Sequence, residues 1–132
     1  MKMNPVRERR LVEDMVRYAA AIEFVVRRGK EEFFDPGEIR NRATVEHYLE
    51  LLGEASGAVG RAVRGANPGV PWDSIARLRF DSAHPYDDQA KPVNYDEIWR
   101  FAAEELPGIA RRLKSVKIDR SGEDTIQGPR PR

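Results

Sequence analysis

Residues 75–86 read Ile-Ala-Arg-Leu-Arg-Phe-Asp-Ser-Ala-His-Pro-Tyr and carry the side chains best suited to chemistry. His84 stands immediately before Pro85, where a helix should end because proline pushes its predecessor out of helical geometry. A helix C-terminus favours the imidazolium and brings the ring's change of charge close to neutral pH. Asp81 lies three residues earlier, on the same helical face, and can orient the ring. Arg79 lies five residues earlier, about 140° around the axis, and meets His84 only by swinging its long side chain. A guanidinium beside an imidazole suits a phosphodiester: one group holds the phosphoryl charge and the other moves a proton. On spacing alone, a lone histidine after an arginine is more often structural or merely exposed.

The cations around this stretch are local rather than general. The 132-residue chain carries 23 basic and 22 acidic side chains, a formal net charge of +1. Such a balance argues against a broad electrostatic coating of nucleic acid, so any contact must be confined to one place. Residues 61–80 supply one, with Arg61, Arg64, Arg77 and Arg79 against Asp73 alone. Arg77 and Ser82 are candidate RNA contacts; the bland alternative is a solvated helix face. Cysteine is absent, which removes disulfides, thiolate metal sites and cysteine nucleophiles, and fits a reducing, cytoplasmic compartment. With only His47 and His84 as histidines, no metal site and no cofactor are expected. His47, beside Tyr48 with no arginine at comparable spacing, reads as structural or surface. Arg17, Glu23 and Arg27 interrupt the apolar stretch after the basic start, so neither a leader peptide nor a membrane span is expected.

Helices must position these groups. Leu11, Met15, Tyr18, Ile22 and Val25 recur at spacings of four and three, predicting an amphipathic helix over about 6–28 that stops at Arg27-Arg28-Gly29. Asp35-Pro36-Gly37-Glu38 reads as a helix start. The expected helix runs to about Val63, with Val45, Tyr48, Leu52, Ala55 and Val59 as its stripe. Gly53, Gly57 and Gly60 weaken it on propensity but would let a partner helix approach, within the chain or across a dimer. Asn67-Pro68-Gly69 marks a turn, and a short helix should follow from about Trp72 to Ala83. Residues 85–94 read as a loop. Asn94 and Glu97 form a capping pair for a last helix carrying Ile98, Phe101, Ala102, Leu106, Ile109 and Leu113, which Pro107 should kink or split. From Ser115 the composition turns polar, so residues 1–114 are expected to form one helical domain and 115–132 a flexible tail. No β-alternation of useful length is visible, and the fold class is an all-α bundle of four main helices.

Four ordered pieces carry a wider pattern. They are Arg42-Ala-Thr-Val-Glu-His-Tyr-Leu-Glu-Leu-Leu-Gly-Glu-Ala55, then Asn67-Pro-Gly-Val-Pro-Trp-Asp-Ser-Ile-Ala-Arg-Leu-Arg79, then His84-Pro-Tyr86, and Ile98-Trp99 before Leu106-Pro107. Over about residues 8–114 the chain resembles the HepT-like branch of the HEPN superfamily. The family motif is arginine, four to six residues, histidine, one residue, tyrosine; here it reads Arg79, Phe80-Asp81-Ser82-Ala83, His84, Pro85, Tyr86. The resemblance implies the toxin of a prokaryotic toxin–antitoxin module, a metal-independent ribonuclease in which Arg79 holds the scissile phosphate and His84 handles protons. It further implies a homodimer whose two motifs face one cleft, and a minimal nucleotidyltransferase antitoxin that adenylylates Tyr86. Glu54 matches a family feature and would be structural, pairing with an arginine across the bundle. Two residues depart from the family: Phe80 stands where a polar residue, commonly asparagine, follows the arginine, and Pro85 stiffens the step to Tyr86. Phe80 keeps open a catalytically weak module that binds RNA, a nucleotide or a nucleotidyltransferase. A plain helical adaptor is the third reading.

Overall fold

The computed structural model describes residues 3–78, 80 and 93–118, and every regular element among them is helical. α1 spans Pro5–Val26, α2 Lys30–Phe33, α3 Ile39–Ala58, α4 Arg61–Ala66 and α5 Trp72–Ala76. α6 spans Tyr95–Arg100 and continues through a π-helical turn, Phe101–Glu105, into α7, Leu106–Lys114. α1 and α3 pack along each other as the central pair; α7 lies on α1, and α5 lies on α3.

α1 begins where Asn4 accepts a hydrogen bond from the Arg7 amide at 3.1 Å, with Pro5 in the first helical position. It ends before Gly29, whose φ of 100° is the left-handed conformation that a side chain would disfavour. Its buried stripe includes Met15, Ile22 and Val25 as expected, but is rotated toward Val12 and Ala19, leaving Leu11 and Tyr18 half-buried. Tyr18 turns its ring to Tyr48 of α3 instead.

The second helix departs from expectation at both ends. Asp35-Pro36-Gly37-Glu38 forms a turn rather than a helical start: the Asp35 carboxylate accepts from the Gly37 amide at 2.9 Å, and α3 begins only at Ile39. The residues before the turn form α2, which the sequence pattern does not signal. It is held by Phe33, 1% exposed, against Trp99 and Tyr95. At the far end the expected continuous helix to Val63 breaks at Val59 and Gly60, where the backbone becomes extended before α4. The break exposes the last carbonyls of α3, and Arg64 satisfies them. Its guanidinium donates to Val59 O, Ser56 O and Gly57 O at 2.9–3.0 Å.

The small residues of α3 receive α5 within the chain. A Cβ at Gly53 would sit 3.1 Å from the Ile75 carbonyl oxygen, and one at Gly57 would sit 3.6 Å from the Ala76 methyl. Ser56, fully buried, donates to the Trp72 carbonyl at 2.7 Å, and the Trp72 indole donates to Asn67 O at 2.9 Å. α5 is shorter than the expected 72–83: it ends at Ala76, and Arg77 closes it by turning its amide back to Asp73 O.

The last helix keeps its expected stripe, with Ile98, Phe101, Ala102, Leu106, Ile109 and Leu113 all buried. Pro107 acts through the turn before it. Leu106 donates to Phe101 O, five residues back, so the chain widens into one π turn where an α-helix would crowd the proline ring against the preceding carbonyl. Residues 115–118, placed in the tail by composition, are held on the body. Val116 and Ile118 pack against the core, and the Lys117 backbone exchanges two hydrogen bonds with the Asn67 side chain, at 2.9 and 2.8 Å. Residues 119–132 lie outside the described residues.

Candidate functional site

The chain enters the motif from α5 and leaves it into α6. At the entry, Arg77 is exposed, Leu78 is half-buried, and Phe80 lays its ring against Phe101, with centroids 6.2 Å apart. At the exit, Asn94 performs two tasks. Its backbone N–H donates to Phe80 O at 3.1 Å, and its side-chain oxygen caps α6 by accepting from the Glu97 amide at 3.1 Å. The expected capping pair is therefore present in altered form. Glu97 reaches back to the Asn94 side-chain amide, 2.9 Å away, because the Asn94 backbone N–H is already committed to Phe80. One backbone bond thus closes the base of the segment that carries the motif.

Arg79, Asp81, Ser82, His84 and Tyr86 lie outside the described residues, as does Pro85. The structure describes their supports. Phe80 is part of that support: its ring faces the core, and its carbonyl ties the segment shut. A half-buried aromatic here does anchoring work that a small polar residue would not.

Of the other cations assigned to the local basic patch, Arg61 and Arg77 are exposed. Arg64 is not available for a ligand in the way its position suggests. Besides the three α3 carbonyls, its Nη1 donates to the Asp73 carboxylate at 2.7 Å, binding the end of α3 to the first turn of α5. His47 is exposed on α3, its ring 5.6 Å from that of Tyr48, in keeping with its surface reading. Glu54 is also exposed. Among the described residues the buried acid is instead Glu8, 3% exposed, which accepts from the Gly60 amide at 2.7 Å and pairs with Arg7 at 2.6 Å. Nothing in the local sequence marks Glu8, because an acid in a first helical turn is ordinary dipole complementation.

Beside the exit, Tyr95 donates its hydroxyl to Glu46 at 3.0 Å under the Arg42 guanidinium. Burial and the Glu46 carboxylate hold the phenol above its usual range, and Arg42 opposes them. Among the described residues, no three histidine, aspartate or glutamate side chains are grouped to hold a metal ion, and no helix is long and apolar enough to cross a membrane.

Comparison with known proteins agrees with this frame. The ribonuclease HepT-like family pattern matches residues 15–116, a span that includes the motif and both of its supports. A protein of Caldanaerobacter subterraneus subsp. tengcongensis, named as a candidate RNase, is 32% identical over 97 residues, 71% of this chain and 82% of that one. One from Methanocaldococcus jannaschii, also named as a candidate RNase, is 26% identical over 113 residues, covering 86% and 84%. A protein of Thermococcus cleftensis named as a probable ribonuclease HepT is 25% identical over 101 residues, covering 75% and 88%. No solved structure matches the chain. The helical frame and the family pattern over residues 15–116 agree, and the chain belongs to the HepT-like ribonuclease family of the HEPN superfamily.

Proposed function

We propose that this protein is an endoribonuclease acting as the toxin of a prokaryotic toxin–antitoxin module in the cytoplasm. Family membership across the motif-bearing span is the observation that carries the reading. The ribose 2′-hydroxyl attacks the adjacent phosphorus, and the 5′-oxygen of the next nucleotide leaves, giving a cyclic phosphate and a free 5′-hydroxyl. His84 takes the 2′-hydroxyl proton or supplies one to the leaving oxygen. Arg79 neutralises the phosphoryl charge that builds in the transition state. Asp81 orients the imidazole, while Arg77 and Ser82 steady the strand. The nucleophile belongs to the substrate, so the reaction needs no metal-activated water and distinguishes RNA from DNA.

The active form is a homodimer in which two motifs share one cleft. Its antidote is a minimal nucleotidyltransferase that moves AMP from ATP to the Tyr86 hydroxyl, releasing pyrophosphate. Bulk and negative charge two residues from His84 then exclude phosphate.

The test is cleavage of single-stranded RNA by the full chain in excess chelator. His84→Ala and Arg79→Ala should each lose cleavage by at least about 100-fold while keeping the wild-type helical spectrum. Wild-type rates in both variants would remove the assigned site. Mass spectrometry after incubation with ATP and the nucleotidyltransferase should place AMP on the peptide containing Tyr86. The anchoring of Phe80 in place of a polar residue favours a second reading, an RNA-binding module that cleaves weakly. Tight RNA binding with no turnover in the wild-type chain would select it.

A further inference from the structure

Two stretches of this near-neutral chain contain no carboxylate at all: residues 60–72 and residues 106–118. Between them they carry Arg61, Arg64, Arg111, Arg112, Lys114 and Lys117. The fold brings the two stretches together. The Asn67 side chain grips the Lys117 backbone, and a groove of about 410 Å³ opens between the 67–70 turn and the end of α7. Arg111 and Arg112 line it with Ser115 and the Asn67-to-Val70 turn. Both guanidiniums reach back over Gly108: a Cβ there would lie 3.7 Å from Nη2 of Arg111 and 3.8 Å from Nη2 of Arg112. A second groove of about 390 Å³, lined by Arg61, Arg64 and Trp72, begins on the other side of Val70. Among the described residues, the one acid on its wall is Asp73, which is paired with Arg64. This second groove ends at the first turn of α5, the helix that leads into Arg77 and the motif.

Two like charges held over one glycine repel each other, and an anion between them offsets that repulsion. The exposed ends of Arg111 and Arg112 therefore suit a bridging phosphate, and guanidiniums are the side chains best shaped to take one. The wall is acid-free on the α7 side of the 67–70 turn, and on the other side its one acid, Asp73, is paired with Arg64 and leaves Arg61 in excess, so the favourable potential extends along a line rather than at a point. We infer that this face, from the end of α7 across the 67–70 turn to α5, binds the phosphate backbone of single-stranded RNA outside the cleavage motif. The inference rests on the ribonuclease reading for its choice of polyanion. The protein meets phosphate here, so it positions the strand without reading its sequence.

The experiment measures binding of a fluorescent 20-nucleotide single-stranded RNA to the full-length His84→Ala chain, by anisotropy across a series of salt concentrations. Arg111→Gln/Arg112→Gln should bind roughly tenfold more weakly at 0.1 M salt, and its log Kd against log salt should flatten by about 0.7, the slope for the one phosphate the pair no longer neutralises. Arg61→Gln, in the second groove, gives a second reading of the same face and should weaken binding in the same direction. Arg10→Gln/Lys30→Gln removes equal charge from exposed positions on α1 and α2 and should bind as the parent does. Unchanged affinity and slope in the Arg111/Arg112 variant, equal weakening in the α1/α2 control, or no RNA binding by the parent each overturn the inference. Cleavage in the wild-type background separates it from the ribonuclease reading. A dinucleotide, whose single phosphate is the one cleaved, should be cut equally with and without the arginine pair, whereas the KM for the 20-mer should rise with kcat unchanged. A chain that binds RNA on this face and cuts nothing keeps the inference and removes the ribonuclease; one that cuts both substrates identically in the variant does the reverse.

Discussion

Glu8 and Phe80 do work that their residue types do not advertise. The Glu8 carboxylate is buried where α1 meets the break between α3 and α4, and it supplies the acceptor for the otherwise unpaired Gly60 amide. Truncation to alanine removes that acceptor and takes one partner from Arg7, which keeps its bond to the Ala58 carbonyl, while half of the Arg7 side chain remains open to water. Glu8→Ala should therefore destabilise the chain by about 2 kcal/mol, mostly from the unsatisfied buried N–H. Glu8→Gln keeps an acceptor in place and should lose noticeably less. Urea unfolding followed by tryptophan emission measures both; equal losses in the two variants would show that the carboxylate charge, not the acceptor, is what matters. Phe80 likewise exchanges the polarity expected beside the motif arginine for an anchor on Phe101.

α3 and α5 set the direction in which the chain approaches the motif. The glycine positions of α3 are packing surface for α5, and Gly53 leaves only enough room for the Ile75 carbonyl. Gly53→Val places branched carbon into that space. It should cost about 2 kcal/mol through overpacking and should lower RNA cleavage further, because α5 must shift to accommodate it. Gly53→Ala is the informative contrast. Its gain in helix propensity, about 1 kcal/mol, offsets the tight 3.1 Å approach, so thermal unfolding should move little. A large loss in the alanine variant would mean that α5 cannot yield even by a few tenths of an ångström. Arg64 is the companion device. It closes the exposed carbonyls of α3 and ties them to Asp73 on α5, so one side chain fixes the angle between the two helices.

The molecule as a whole keeps its charges balanced in number but not in space. The acid-free stretches converge around Asn67, and the same pairing that makes the groove also anchors residues 115–118. We propose a domain boundary at Ile118 rather than Lys114, because residues 115–118 are held on the body. A chain ending at Ile118 should melt within about 1 °C of the full-length protein, whereas one ending at Lys114 loses the Val116 and Ile118 packing and both Asn67 bonds. That loss, of the order of 2–3 kcal/mol, should lower the melting temperature by about 10 °C. Calorimetry on the two truncations decides it: a marked loss on removing 119–132 alone would move the boundary outward.

The fold class, most of the stripes of α1 and α3, the whole stripe of the last helix, the turn at Asn67, the Asn94–Glu97 cap and the disturbance at Pro107 were legible in the sequence. Each rests on a short-range rule: helical periodicity, a capping side chain, or a ring without an N–H. The motif from Arg79 to Tyr86 stands on the family resemblance rather than on spacing, and it remains a proposal because its reactive side chains lie outside the described residues. What the sequence could not determine depends on distant partners. α2 exists because Phe33 has an aromatic pocket on Trp99 and Tyr95 to fill. The helix read as continuous to Val63 breaks because Glu8 and Arg64 satisfy the backbone groups that the break exposes. Arg64 looked like part of an open cationic patch and is a structural clamp; Arg111 and Arg112, which no sequence pattern singled out, line a groove. Periodicity and caps are properties of neighbours along the chain and can be read there. Partnership between groups fifty residues apart, as between the Glu8 carboxylate and the Gly60 amide, is a property of three-dimensional packing, and only the tertiary structure decides which cations are already spent and which remain to meet a ligand.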